Sequence, residues 1–176
     1  ESSNKIIHEF AHGDEPWGWK LPDSMNHWHD DRKDRKFYIP KRPMKVLSVL
    51  VPGVIKKEIL FVSHLCHPAP AANDNASGAA MMIELANYYK NNPHHYTIRF
   101  LFTVEYWGTV SFLNRYEEIL SNIVTVISLD MVGADQNICG SSMIVDEIPH
   151  HLTSNIDILL FYYLQNNGKT EKYRAI

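Results

Sequence analysis

Nothing in this sequence of 176 residues approaches the roughly 20 consecutive apolar positions that a membrane-spanning helix needs. Surplus positive charge is missing too. The 17 Lys and Arg against 20 Asp and Glu give a formal net charge of −3. That disfavours nucleic acid as a partner, because phosphate affinity comes from excess basic side chains. The N-terminus has no basic segment leading into an apolar stretch, so no secretory signal is legible and a cytoplasmic location is expected. Two cysteines, Cys66 and Cys139, cannot build a disulfide framework. No internal repeat is visible. With 45% hydrophobic and 21% charged residues, the composition is that of an ordinary globular chain and excludes wholesale disorder. Histidine, by contrast, is abundant: ten residues, enough to ask for a metal reading, though most need not be ligands.

The composition changes near residue 43. Residues 1–43 hold Trp17, Trp19 and Trp28 and the mixed-charge run from Asp30 to Lys36, with weak apolar periodicity. This reads as a loop-rich N-terminal arm anchored by its indoles, with the charge run as a solvated face. From residue 44 to 176 strands and helices alternate. Strands are expected over 44–51, 58–63, 96–103 and 123–129, with a short one over 142–145. Helices are expected over 77–91, 109–120 and 154–166, the first stopped by Asn91-Asn92-Pro93 and the last followed by Gly168. The order implies an α/β three-layer sandwich: a mostly parallel or mixed central sheet with helices on both faces. The first strand, joined by a short turn, is free to pair antiparallel with the second.

In such a sheet the working site lies beyond the carboxyl ends of the strands. The second strand runs into His64, followed by Cys66 and His67. The next loop carries Asp74 just before a helix. The third strand runs into Glu105 and the fourth into Asp130. One imidazole and two aspartates suit a borderline divalent ion, zinc first, and leave a position for water. The ion lowers that water's pKa, and a nearby glutamate can take its proton. Each residue also has a plain structural reading. His64 can be a core histidine bonded to backbone, and Asp74 a cap at the helix entry. Glu105 can pair with Arg99 or Arg115, and Asp130 can cap a turn. Their joint arrival at three strand ends favours metal-assisted hydrolysis.

The stretches Phe61-Val-Ser-His-Leu-Cys-His-Pro, Ala72-Asn-Asp-Asn-Ala-Ser-Gly, Phe102-Thr-Val-Glu-Tyr-Trp-Gly and Ser128-Leu-Asp-Met-Val-Gly resemble the co-catalytic zinc aminopeptidases of the M twenty-eight type. In particular they resemble a bacterial aminopeptidase-like branch with a His-x-Cys-His-Pro signature. The resemblance covers roughly residues 44–165 and implies a zinc exopeptidase-like fold. It implies that His64 and Asp130 are ligands of the first metal, that Asp74 is the bridging aspartate and that Glu105 is the general base acting on a zinc-bound water. It also implies that Asn75 and the small residues after it, Gly78 included, let the helix begin close to the site. Peptides or amino-acid-like molecules are the implied substrates.

Several positions depart from the family. Cys66 stands where an aspartate usually orients the first histidine. Tyr106 stands where the second metal has a glutamate, and a neutral phenol is a poor zinc ligand. Only His150 and His151 follow Asp130 as candidates for the family's last histidine. One well-formed zinc site is therefore expected, with the second weak or empty. The chain is shorter than the family's catalytic domain, so the domain is expected to be incomplete at its C-terminus. Further readings stay open: His27 and His29 as a metal pair or an exposed loop, Cys66 beside His67 as a nucleophile, and Trp107 as pocket wall or core. Against a peptide hydrolase stand two alternatives. One is a non-catalytic peptide- or ligand-binding descendant, the other a single-zinc acyl transferase or cyclase.

Overall fold

The computed structural model describes residues 5–10, 44–66, 71–140, 143–145, 155–166 and 173–175. Among them a five-stranded sheet is built from β1 (Lys5–Phe10), β2 (Met44–Val51), β3 (Ile55–His64), β4 (Tyr96–Thr103) and β5 (Ile123–Ser128), in the spatial order β1-β2-β4-β3-β5. The pairs β1/β2 and β2/β4 are antiparallel, and β4/β3 and β3/β5 are parallel. The sheet is therefore mixed, with its parallel part where the helical crossovers lie.

The first long strand is antiparallel to its neighbour, but that neighbour is β4 and not β3, contrary to the simplest reading of the short turn. The turn passes over the start of β4 and is pinned to it: Gly53 N–H donates to Thr97 Oγ1 at 3.1 Å and Ile55 N–H to the His95 carbonyl at 2.9 Å. Within the segment expected to be a loop-rich arm, Lys5–Phe10 is an edge strand, and the rest of that segment lies outside the described residues.

The central strand β4 is buried from Thr97 to Thr103, as its apolar run demands of a strand covered on both faces. Ile98, Phe100 and Phe102 join Phe61 under helix α1 (Gly78–Asn91), which contributes Ala79 and Met82. Phe61 and Phe100 stack with centroids 5.4 Å apart. On the other face Val46, Leu60 and Leu101 pack against Phe112 of helix α2 (Glu105–Arg115). Burying each such side chain contributes about 1.5–3 kcal/mol.

Helix α2 starts four residues before the expected position. Gly108 lowers helix propensity there, but a Cβ in its place would lie 3.1 Å from the Thr103 side chain and 3.2 Å from a Val46 methyl, so glycine lets α2 pack closely onto β2 and β4. The expected single helix also breaks at Tyr116 (φ −123°, ψ 52°) before helix α3 (Glu117–Leu120). That break lets the Tyr116 hydroxyl share a 2.7 Å hydrogen bond with His8 Nδ1 on β1.

Under the same helices lies a buried ion pair. Arg99 Nε donates to Glu58 Oε2 at 2.6 Å, Nη2 to Oε1 at 2.9 Å and Nη1 to Ser48 Oγ at 2.8 Å. The fork satisfies both charges inside the sheet, which is what makes their burial tolerable. Beyond β5 come helix α4 (Gln136–Cys139), strand β6 (Met143–Val145), helix α5 (Asn155–Asn166) and strand β7 (Tyr173–Ala175), with β6 and β7 forming a separate parallel pair.

Candidate metal centre

Because β3, β4 and β5 run parallel, their carboxyl ends open on one rim, and the chemistry-bearing residues gather there. His64 is the last residue of β3. Asp74 lies in the single wide turn Ala72–Ser77 that leads into α1, and Asp130 lies two residues beyond β5. His64 Nε2 is 3.2 Å from Asp74 Oδ1 and 3.5 Å from Asp130 Oδ1. Zinc bonds to nitrogen and oxygen are about 2.0–2.2 Å, so ligand atoms at tetrahedral angles sit about 3.3–3.6 Å apart. The His64, Asp74 and Asp130 donors all lie within 4.8 Å of one another. The three are of the chemical type to hold one divalent cation and are close enough to share it.

A backbone contact fixes the ring of His64. His64 Nδ1 is 2.9 Å from the Cys66 carbonyl oxygen, so its N–H donates there and the Nε2 lone pair faces the two carboxylates. That backbone carbonyl does the orienting that the resemblance assigns to an aspartate, which explains how the side chain at 66 can be a cysteine. Leu65 N–H donates to the Thr103 carbonyl at 2.8 Å, extending the β3/β4 ladder past His64 and holding this bend. The histidine side chain is only 13% exposed, whereas those of Asp74 and Asp130 are 40% and 55% exposed, so the site is floored by protein and open above.

Glu105 is the first residue of α2, two residues beyond β4, with its backbone at φ +30°. A non-glycine residue in that region costs of order 1–3 kcal/mol, and such residues cluster at working sites. Its carbonyl is gripped by the Thr103 and Thr109 hydroxyls at 2.9 and 3.1 Å. Arg99 is committed to Glu58, so the Arg99 partnership open to Glu105 in the sequence is not made. The Cys66 thiol lies among these groups. Burial, and after it the negative charge of Glu105, pushes its pKa up; a backbone N–H from Glu105 opposes this, and Asp74 adds to the rise.

Two carboxamides organise the loops. Asn75 is buried and makes four hydrogen bonds. Nδ2 donates to Ser63 Oγ (3.0 Å) and the Leu129 carbonyl (2.9 Å), while Oδ1 accepts from Gly78 N–H (3.1 Å) and Met131 N–H (3.2 Å). Asn73 Oδ1 accepts from Gly133 N–H at 2.9 Å and from the Ser77 hydroxyl at 3.2 Å. In the sequence only the Asn-Asp-Asn triplet and the helix-start role of Asn75 point to this network; the bonds to Ser63, Leu129, Met131 and Gly133 have no local sign. His27, His29, His67, His150 and His151, with the three N-terminal tryptophans, lie outside the described residues, as do the side chains of Tyr106 and Trp107.

Comparison with known proteins agrees with this architecture. A zinc aminopeptidase from Bacillus subtilis superposes with a TM-score of 0.64 at 21% identity, over 77% of this chain and 35% of that one. A glutaminyl cyclase from an Acidobacteriales bacterium superposes with a TM-score of 0.69 at 18% identity, over 98% of this chain and 57% of that one. At these identities the likeness shows a shared fold, the zinc exopeptidase-like α/β sandwich. A Clostridium acetobutylicum protein named for polysaccharide biosynthesis and an aminopeptidase-like domain is 36% identical over 81 residues, 46% of this chain and 18% of its own length. The chain thus spans only part of each of these relatives. Residues 4–159 match the family described as a domain of unknown function, DUF4910, and the chain belongs to that family.

Proposed function

We propose that this chain carries the metal centre of a zinc-dependent peptide or amide hydrolase of aminopeptidase type. The observation that supports it is the His64–Asp74–Asp130 triad, whose donor atoms stand at ligand spacing on the open rim of the sheet. His64, Asp74 and Asp130 would hold the cation, which when bound would supply Lewis-acid chemistry toward a substrate carbonyl and a water. His64 is held in the required tautomer by the Cys66 carbonyl. The exposed carboxylates leave room for a peptide or amino-acid-like substrate to approach. Glu105 takes the proton of the attacking water at its carboxylate and returns it to the departing amine. Tyr106 supplies no second carboxylate, in keeping with one ion. A preference for free amino termini rests on the aminopeptidase-like relatives.

The fold is shared with glutaminyl cyclases, so fold alone does not separate hydrolysis from cyclisation. Both reactions are read in one assay. The zinc-loaded protein is incubated with a peptide set that includes amino-terminal glutamine, and the products are identified by mass. Hydrolysis releases a free amino acid, whereas cyclisation releases ammonia and leaves the peptide at full length. The expected outcome is amino-acid release, abolished or reduced about 10²–10⁴-fold by Glu105→Gln while zinc stays bound. Undiminished hydrolysis in Glu105→Gln would remove Glu105 from the mechanism. Binding without turnover by the unaltered chain would favour a non-catalytic descendant.

A further inference from the structure

Asn75 makes contacts that no ligand role requires. Its four hydrogen-bond partners sit beside the ligands in the chain. Ser63 precedes His64, Leu129 and Met131 flank Asp130 on both sides, and Asn75 itself follows Asp74. The fourth partner, Gly78 N–H, fixes the start of α1. A carboxamide has two donor hydrogens and two acceptor lone pairs, and here all four are used. The residue is 4% exposed, so a partner lost from it leaves a buried polar group unpaired.

We propose that Asn75 is the positioning residue of the metal centre: one carboxamide ties together the three chain segments that carry His64, Asp74 and Asp130 and so sets the spacing of their donor atoms. This rests on the metal reading given above. The neighbouring clamp supports it. Asn73, on the other side of Asp74, holds Gly133 N–H at 2.9 Å, so the residues flanking Asp74 both reach the turn around Asp130. That accounts for a carboxylate bracketed by two carboxamides. The bonds from Asn75 to Leu129 and Met131, in the segment that follows β5, cross 54 and 56 residues of sequence. Without them the Asp130 segment is free to move relative to Asp74, and a three-donor grip on a cation loses its preset geometry.

The test separates positioning from mere stability. Zinc affinity of the purified chain is measured by competition with a chelating dye, under conditions where circular dichroism shows each variant folded. The absorption spectrum of the cobalt-loaded protein reports ligand geometry. Three variants are compared: Asn75→Ala; Ser63→Ala, which removes one arm of the clamp; and Phe112→Leu, a core change on the opposite face of the sheet. Loss of groups that orient ligands typically weakens metal binding about 10–100-fold. Asn75→Ala is expected to show that loss and an altered cobalt spectrum. Ser63→Ala is expected to show a smaller loss in the same direction. Phe112→Leu is expected to lower the melting temperature and leave affinity and spectrum unchanged. Wild-type affinity in folded Asn75→Ala overturns the inference alone. Should Asn75→Ala not fold, wild-type affinity in Ser63→Ala does the same. An equal loss of affinity in Phe112→Leu also overturns it, since stability would then explain everything. If the unaltered chain binds neither zinc nor cobalt, the metal reading fails and the inference falls with it.

Discussion

Gly78→Ala puts two physical effects in opposition. The backbone at Gly78 is ordinary right-handed helix (φ −63°, ψ −42°), so alanine fits it without strain. Helix propensity and the reduced freedom of the unfolded chain then favour alanine by up to about 1 kcal/mol. The surroundings say otherwise. A Cβ at this position would lie 2.2 Å from the Leu129 carbonyl oxygen, 2.5 Å from Asn75 Oδ1 and 2.7 Å from Ser63 Oγ. Two of these atoms cannot swing aside, because Leu129 is main chain and Asn75 is held by four partners. Displacing α1 from β5 to relieve the overlap costs about 1–3 kcal/mol as overpacking. Each buried bond of Asn75 broken in the process adds about 1–3 kcal/mol. The steric effect wins, and a net loss of about 2–5 kcal/mol is expected. For a domain of this size each kcal/mol is about 2–4 °C in melting temperature. Thermal and urea unfolding of the two proteins side by side measure the change. A melting temperature equal to or above wild type would refute the close approach of α1 to the end of β5.

Three further outcomes follow from the geometry. Glu58→Ala strands the Arg99 guanidinium inside the sheet and is expected to cost about 3–5 kcal/mol, whereas Glu58→Met with Arg99→Met recovers most of it; urea unfolding of the single and double variants checks the sign. The pKa of His8 is lowered in the fold, first by burial and then by the charges of Arg99 and Arg115. The unfolded chain therefore takes up this proton more readily, so stability from this residue is complete above the ordinary histidine range, declines as pH falls through about 6.5 and levels off below the folded value. His8→Phe should flatten that part of the curve of unfolding free energy against pH, and an unchanged slope would show that His8 is not its source. Phe112→Ala should lower stability by about 3–5 kcal/mol, with calorimetry as the check, because the ring is fully buried between α2 and the sheet.

Much of the sheet was legible because its strands are apolar runs with clear stops. The Tyr96–Thr103 strand is buried on both faces and announces itself by composition, and Asn92-Pro93 ends α1. The rim residues were legible as polar groups that recur at strand ends in a fixed order. What stayed hidden depends on distant contacts. Strand β1 leaves Ile6 56% and Ile7 62% exposed and buries His8 instead, so its pattern points the wrong way; pairing with β2 and the Tyr116 bond hold it. The start of α2 is obscured by Gly108, which close packing favours and propensity opposes. The Asn75 clamp joins residues more than fifty positions apart through a side chain that is common in loops, and no local periodicity records it.

The central claim is one divalent cation held by one imidazole and two carboxylates. Zinc content after equilibrium dialysis, measured by elemental analysis on the unaltered chain and on His64→Ala, tests it most directly. The account predicts close to one equivalent per chain in the first and none in the second. Two tightly held equivalents, or zinc that persists in His64→Ala, would contradict it.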